Sequence, residues 1–278
     1  MSCPSATAPI NISKKSSSGK CDLKCAYSFQ YKESLSTLIK NRGEYVSLSY
    51  AEHSGMIKYN TQSYSVREVR LYHPSLHEFE GIKYDGEMII VHNNLNGGHN
   101  LLVCIPIRIS SDGLSIFTAV MDALSTRAPS SGDSTLVNET FNLEEIVPKK
   151  PFYAYSATIP YQPCDFTTNY VVFTKEVPMT AKDYELFESV IEPNAYDIKS
   201  DPSIQFFYNE QGPGVSRADG IYIDCRMVGQ SEDTTTVFKS PVPNINSWQG
   251  VSLILWTISL IIMFLIMTRF VSLLTTIN

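Results

Sequence analysis

The 278-residue chain has no excess of basic residues, since 22 Lys and Arg stand against 28 Asp and Glu, a net charge of −6. This balance excludes a general nucleic-acid binder, which needs a basic surface. Charge of either sign is scarce, at 18% of residues against 43% hydrophobic, which excludes global disorder. The length allows one large domain or two small ones with a sizeable core.

A secretory signal is also missing, because residues 1–12 have neither a basic segment nor an apolar run. Residues 251–268, in contrast, are apolar and uncharged, long enough to cross about 30 Å of hydrocarbon at 1.5 Å per residue. Trp248 and Arg269 suit the two membrane interfaces. We expect post-translational insertion, and a domain organisation of domain 1–232, linker 233–250, transmembrane helix 251–268 and short tail 269–278.

Cysteine is sparse, with six in the chain. Cys21 and Cys25 form a CxxxC pair, but no second pair of cysteines or histidines completes a zinc motif. The pattern is typical of free thiols or of one or two structural disulfides, and the spacing alone does not decide between them.

The residues that are abundant favour a β-rich protein, since 16 Tyr and 13 Phe fit half-buried strands. Apolar alternation or continuous apolar runs predict strands, and a capped amphipathic pattern predicts one helix; residues 114–124 are ambiguous. The predicted elements are strands 66–72, 87–92, 101–109 and 170–175, and a helix over 180–191 with Thr180 as N-cap.

Three of the five histidines, His73, His77 and His92, lie within residues 64–94 and suggest a zinc site. Two ligands on one face of a strand must be two residues apart. None of the three has a His, Cys, Asp or Glu at that distance. Their pattern therefore favours ordinary hydrogen-bonded histidines over metal ligands.

The order of several short motifs resembles an α-class carbonic anhydrase domain. The motifs are PINI at 9–12, the strand 64–75, VHNN at 91–94, YSATIPYQP at 155–163 and YVVF at 170–173. The resemblance covers residues 3–230 and implies an α+β, mostly β fold, with a central twisted, mainly antiparallel sheet and few helices.

The same resemblance implies that the catalytic chemistry is lost. The positions of the three zinc-binding histidines fall on Arg70, Tyr72 and Ile89. The positions that orient the zinc hydroxide and shuttle its proton fall on Pro160, Leu76 and Glu44, while the framework residues are His77, Tyr84, Glu87 and His92. We therefore expect no metal, no cofactor and no enzyme activity, because zinc is what brings the pKa of water near 7.

A carbonic-anhydrase-like domain with a C-terminal membrane span is similar to the cell-surface-binding envelope proteins of poxviruses. That resemblance implies a virion-membrane protein whose domain faces outward and attaches to a cell-surface glycosaminoglycan such as chondroitin sulfate. The resemblance to carbonic anhydrases implies a disulfide between Cys3 and Cys164. A cytosol-facing domain would lack this bond unless the virus supplies thiol oxidation, as the poxvirus resemblance implies.

The candidate ligand-binding residues are Arg70, Arg42, Lys14, Lys15, Lys20 and Lys24. Arg70 suits a sulfate, but an internal ion pair with Glu68 or Glu87 is an equally good interpretation. The net charge of −6 disfavours a polyanion and keeps a different glycan or a protein receptor as alternatives. Residual hydratase activity and a cellular tail-anchored protein are the remaining alternatives, and a homo-oligomer is left open.

Overall fold

The computed structural model describes residues 3–21, 24–50, 55–164 and 166–214, and the backbone of residues 221–222 and 237–238. The chain divides into two compact units, residues 1–217 and 218–278. Three α-helices are described in the first unit: α1 (Ser115–Arg127), α2 (Leu143–Ile146) and α3 (Ala181–Val190).

Strands make up most of the described part of the first unit. In the first half of the chain they are β1 (Asn11–Ile12), β2 (Tyr27–Tyr31), β3 (Thr37–Asn41), β4 (Val46–Leu48), β5 (Gly55–Tyr59), β6 (Gln62–Tyr72), β7 (Glu78–Phe79), β8 (Ile82–Lys83) and β9 (Gly86–Asn94). They continue as β10 (Asn100–Ser110), β11 (Ser134–Val137), β12 (Phe152–Thr158), β13 (Thr167–Phe173), β14 (Val177–Thr180) and β15 (Phe206–Asn209).

One 12-stranded sheet organises this unit, in the order β11-β3-β4-β6-β9-β10-β13-β12-β15, with β2, β5 and β14 attached. Its pairings are antiparallel except for β10 with β13 and with β14. The mostly β, mainly antiparallel architecture with few helices confirms the predicted fold class. The small sheet β1-β7-β8 joins the N-terminal segment to the β6–β9 connection.

The two faces of the large sheet carry different cores. Val69 and Leu71 of β6 belong to the larger core, which also takes up the buried faces of α1 and α3. Tyr72 of β6 and Ile89 of β9 belong to the smaller core on the other side. Because side chains alternate along a strand, Arg70 points to the smaller core as well.

The strand predictions are confirmed within a few residues at each end. The helix prediction is also confirmed, since the Thr180 hydroxyl accepts a hydrogen bond from the backbone N–H of Asp183 and caps α3. The ambiguous residues 114–124 form most of α1, whose first residue follows Leu114, a position with no side-chain cap. A missing cap and an apolar surface explain why periodicity did not identify this helix.

In the second unit, two short strands pair antiparallel, β16 (Ile221–Tyr222) and β17 (Val237–Phe238). The predicted transmembrane helix 251–268 and tail 269–278 lie outside the described residues, and of the predicted linker 233–250 only β17 is described. Within the residues that are described, no helix is both long and apolar enough to span a bilayer.

Candidate functional site

The three positions that the family resemblance assigns to zinc lie together on two neighbouring strands. Arg70 pairs with Ile89 across β6 and β9, and Tyr72 pairs with Glu87 one step further along. All of these side chains are buried. The sheet therefore brings the expected positions together, but with a guanidinium, a phenol and an alkyl group.

Arg70 is held by Glu68, two residues earlier on the same face of β6. Its Nε and Nη2 donate to Oε1 of Glu68 at 2.9 and 2.6 Å, and its Nη1 lies 3.4 Å from the Tyr72 hydroxyl. The other carboxylate oxygen accepts from the Ser47 hydroxyl at 2.6 Å. Burial acts to raise the pKa of Glu68, but Arg70 and Ser47 outweigh it and lower the pKa.

The Arg70–Glu68 contact settles the alternative that the sequence left open between two internal partners. Glu68, with a side chain 14% exposed, is the ion-pair partner, while Glu87 binds elsewhere. An external anion would have to compete with a carboxylate already in contact. The guanidinium is also only 8% exposed, so direct access to it is small.

Two aromatic rings enclose the Arg70 guanidinium. Its Cζ lies 4.8 Å from the ring centroid of Tyr45 and 4.6 Å from that of Tyr161, within cation–π range. Tyr72 packs beside Tyr45, at 5.1 Å between centroids. Tyr196 packs against both Tyr72 and Tyr161, at 6.5 and 6.4 Å. These groups form a plug of one cation and four tyrosines, which we call the Arg70 plug.

A small cavity of about 10 Å³ remains beneath the plug, which is room for about one water molecule. Its lining is mostly apolar and consists of Ala8, Pro9, Leu76, His77, Ile89, Leu102, Pro160, Tyr161 and Tyr170. The Tyr170 hydroxyl is buried and has no hydrogen-bond partner. A substrate larger than water does not fit this space.

A second buried polar cluster lies next to the plug, and we call it the framework cluster. His77 places Nδ1 2.6 Å from Oε1 of Glu87 and accepts at Nε2 from the Tyr155 hydroxyl, also at 2.6 Å. The other Glu87 oxygen accepts from the backbone N–H groups of Leu76 and His77. Burial acts to raise the pKa of Glu87, but His77 and these donors hold it below its ordinary value.

Cys104 of β10 completes the framework cluster. Its thiol is fully buried and hydrogen-bonded to Glu87, and burial together with that carboxylate raises its pKa well above the ordinary value. Ligand atoms of His77, Glu87 and Cys104 lie within 4.8 Å of one another. Both ring nitrogens of His77 and both oxygens of Glu87 are already engaged, and the cysteine stays protonated.

Zinc does not fit either group of residues. At the three expected positions, Ile89 has no donor atom, Arg70 is a cation, and burial raises the pKa of Tyr72 well above its ordinary value. In the framework cluster, the nitrogens of His77 and the oxygens of Glu87 are already engaged, and the Cys104 thiol is protonated, whereas a zinc-bound cysteine is a thiolate. We therefore derive no reaction step through a metal.

Lys14, Lys15 and Lys20 contact residues that do not belong to the Arg70 plug. Exposed Lys14 and Lys15 lie in a short 3-10 helix, where Glu80 accepts from the Lys14 backbone N–H at 2.9 Å. Lys20 forms an ion pair with Glu210 beside β15, and Lys24 is exposed one turn further on. Arg42 is exposed at the end of β3.

Arg42 is the predicted cation nearest the plug along the chain. Its backbone N–H donates to the Tyr45 carbonyl at 2.9 Å, so residues 42–45 form a turn. This turn carries the Tyr45 ring, and we call it the rim of the plug. Exposed Glu44 shares this turn and accepts from the Tyr196 hydroxyl at 3.1 Å. The rim therefore carries charges of both signs.

Sequence reasoning missed Tyr45, Tyr161 and Tyr196, because they are far apart in the chain and follow no periodic pattern.

Four cysteines form two disulfides. Cys3 pairs with Cys164, as the family resemblance implies, with 5.3 Å between their Cα atoms. Cys21 pairs with Cys25, closing the CxxxC segment. The spacing alone had left this second pair undecided between thiols and a disulfide.

Comparison with known proteins identifies the class. Residues 4–201 match the eukaryotic-type carbonic anhydrase family, so the chain belongs to that family. No curated protein gives a significant match. Among solved structures, dioscorin in complex with ascorbate is 18% identical, with a TM-score of 0.65 over 74% of this chain and 86% of that chain.

Two solved structures of carbonic anhydrases share the same fold. The α-carbonic anhydrase of Thermovibrio ammonificans, in complex with sulfanilamide, is 16% identical, with a TM-score of 0.64 over 73% of this chain and 87% of that one. Carbonic anhydrase Cah3 of Chlamydomonas reinhardtii, in complex with acetazolamide, is 15% identical, with a TM-score of 0.65 over 74% and 91%. At these identities the likeness establishes the fold.

Proposed function

We propose that this chain is a non-catalytic member of the carbonic anhydrase family that acts as an attachment protein of a virion envelope. One observation carries the proposal: the three zinc positions hold Arg70, Tyr72 and Ile89, and the Arg70 plug fills the space above them. A domain that has lost both the metal ligands and the substrate space keeps its outer surface as the part available for function.

The ligand in this proposal is a cell-surface glycan, most readily a glycosaminoglycan such as chondroitin sulfate. Arg42 and the exposed lysines supply cations that a sulfated chain would contact. Arg70 contributes less in direct contact, since Glu68 already neutralises it and two rings cover it. A long polyanion can touch several separate cations at once, so the candidates need not share one pocket.

The membrane attachment in this proposal rests on the apolar residues 251–268. They would anchor the chain in the mature virion membrane, with the carbonic-anhydrase-like domain facing outward. The two disulfides support a domain that reaches an oxidising environment or is oxidised during assembly.

Binding of the purified protein to cells, with and without chondroitinase treatment, tests the function. The proposal predicts a several-fold loss of binding after treatment. It also predicts that binding to untreated cells weakens as the salt concentration rises, because salt screens exposed charges. Binding that is unchanged by the enzyme would reject chondroitin sulfate as the ligand.

A charge-matched pair of variants locates the contact. Lys14→Ser with Lys15→Ser removes two candidate cations, and we expect weaker retention on immobilised chondroitin sulfate. Lys175→Ser with Lys182→Ser removes the same charge from exposed positions elsewhere and is the control. An equal loss in both variants would indicate that net charge alone governs retention.

A protein receptor or an uncharged glycan is the second candidate. The net charge of −6 and the mixed charges of Arg42 and Glu44 at the rim favour it over a polyanion. In that case, cell binding persists after chondroitinase treatment and depends little on salt, and protease treatment of the cells distinguishes the two ligand types.

A further inference from the structure

We propose that the Cys3–Cys164 disulfide is a redox latch that keeps the cavity beneath the Arg70 plug closed. Under this proposal the oxidised chain is closed, and reduction by a dithiol releases the wall and the cover of the cavity. The proposal concerns access to the cavity and does not depend on the attachment function.

The two cysteines belong to the two segments that close the cavity. Cys3 begins the N-terminal segment in which Ala8 and Pro9 line the cavity. Cys164 lies in the loop between β12 and β13, in which Pro160 and Tyr161 line the same cavity. The disulfide therefore joins the N-terminal segment to the loop after β12, and both of these segments line the cavity.

The loop that carries Cys164 also supplies the cover of the Arg70 plug. Tyr161 places its ring 4.6 Å from the Arg70 guanidinium and, at the same time, lines the cavity below it. Tyr161 is partly exposed, whereas Arg70 beneath it is buried. Movement of this loop would uncover the guanidinium and open the cavity toward His77.

Among the described residues, five hydrogen bonds between the same two segments accompany the disulfide. The Cys3 N–H donates to the Pro160 carbonyl at 3.0 Å, and the N–H groups of Thr7 and Ala8 both approach the Thr158 carbonyl at 3.2 Å. The Thr158 N–H donates to the Thr7 hydroxyl at 2.9 Å. The Ser5 hydroxyl also donates to the Cys164 carbonyl at 3.5 Å. Three of these five contacts involve Thr158, at the end of β12, and two lie within the loop itself.

Because most of these hydrogen bonds lie at the end of β12, the position of the Tyr161 ring over Arg70 depends on the Cys3–Cys164 disulfide. Irregular loop segments open locally at much lower free energy than the core strands of a sheet. The disulfide spans 161 residues of sequence, so its loss frees the N-terminal segment from a distant point of attachment. Reduction adds two electrons and two protons to give two thiols, while the dithiol reductant is oxidised to its own disulfide.

Hydrogen exchange measured by mass spectrometry on the full chain tests the latch. In the variant Cys3→Ser with Cys164→Ser, we expect exchange at least about tenfold faster in residues 3–9 and 158–164 than in the unsubstituted protein. We expect amides of β9 at the centre of the sheet to keep their rates. Treatment of the unsubstituted protein with a dithiol should reproduce this pattern, and re-oxidation should reverse it.

The matched control removes the other disulfide, with Cys21→Ser and Cys25→Ser. It deletes the same number of cysteines and should leave exchange in residues 158–164 unchanged. The proposal is overturned if the Cys3–Cys164 variant shows no acceleration in these residues. It is equally overturned if exchange accelerates uniformly in β9 and the loop, since the bond would then stabilise the whole fold rather than latch the cavity.

Discussion

The Arg70 plug and the framework cluster lie side by side on β6 and β9, and they satisfy buried charge in different ways. In the framework cluster, Glu87 is fully buried, and its oxygens accept from His77, from two backbone N–H groups and from the Cys104 thiol. In the plug, Arg70 is neutralised by one carboxylate and covered by two rings. The first cluster is held by hydrogen bonds to fixed positions, the second largely by packing.

This difference shows how the fold accommodates side chains other than histidine at the three positions that the family resemblance assigns to zinc. The framework cluster fixes the connection between β6 and β9 and works without a metal, because its donors and acceptors are matched to one another. The side chains at the three positions assigned to zinc must be compatible with burial on this face of the sheet. A charged side chain with a neighbouring carboxylate and aromatic cover meets that need at moderate cost.

The comparison predicts the largest effect for Glu87→Ala. This change leaves His77 Nδ1 and two buried N–H groups without an acceptor, and we expect a loss of about 4 kcal/mol in the free energy of unfolding. Urea denaturation at pH 7 measures it. The exposed Glu139→Ala is the control and should change stability by less than about 0.5 kcal/mol. A loss below about 1 kcal/mol for Glu87→Ala would contradict the role given to the cluster.

A smaller effect is expected for Arg70→Ala, of about 3 kcal/mol, because it leaves the half-buried Glu68 carboxylate without its cation. The double variant Arg70→Met with Glu68→Gln removes both charges and keeps most of the volume, so it should recover much of that loss. If the double variant is as unstable as Arg70→Ala, packing against the rings does not hold the plug together.

The third test extends the comparison to His92 near the other end of β9. This ring is fully buried, with Nε2 2.9 Å from the Tyr31 hydroxyl and Nδ1 3.3 Å from the Leu101 carbonyl. Burial lowers its pKa to about 4, from an ordinary value of 6.5. The stabilisation from neutral His92 is complete above pH 6.5 and is lost as the pH falls toward 4.

Between pH 7 and pH 5 this group should cost about 2 kcal/mol of stability. Denaturation midpoints across that range measure the loss, and His92→Gln, which cannot titrate, should remove it. Glu68 and Glu87 have lowered pKa values, so they lose their contribution only at more acidic pH and do not obscure this window. The same pH slope in the variant would show that another group causes it.

The smallest effect concerns one ring of the plug. Tyr45→Leu removes one cation–π face from Arg70 and should cost about 1 kcal/mol, whereas Tyr45→Phe keeps the ring and should cost less than half of that. Thermal denaturation of both variants compares them. Equal losses would show that the hydroxyl, rather than the ring face, stabilises the plug.

Much of the scaffold was predictable from the sequence, because it depends on local patterns. The alternation in residues 66–72 and the apolar run 87–92 predict β6 and β9, and Thr180 predicts the start of α3. The spacing of two residues also places Glu68 and Arg70 on one face of a strand. These are short-range relations, which a sequence displays directly.

The composition of the plug was not predictable in the same way. Tyr45 and Tyr161 cover Arg70, and Tyr196 packs against Tyr161, so three distant parts of the chain meet only in the folded sheet. The choice between Glu68 and Glu87 as its partner depended on the register of β6 and β9, which pairs Arg70 with Ile89 and Tyr72 with Glu87. Register follows from cross-strand packing and cannot be read from either strand alone.

The measurement that tests the account most directly is the metal content of the purified protein, determined together with its rate of CO₂ hydration. The account predicts no bound zinc after exposure to the metal and removal of the excess, and a hydration rate equal to that of the buffer. Stoichiometric zinc that a chelator removes, together with a hydration rate that falls when it is removed, would contradict the claim that the Arg70 plug has replaced the metal site.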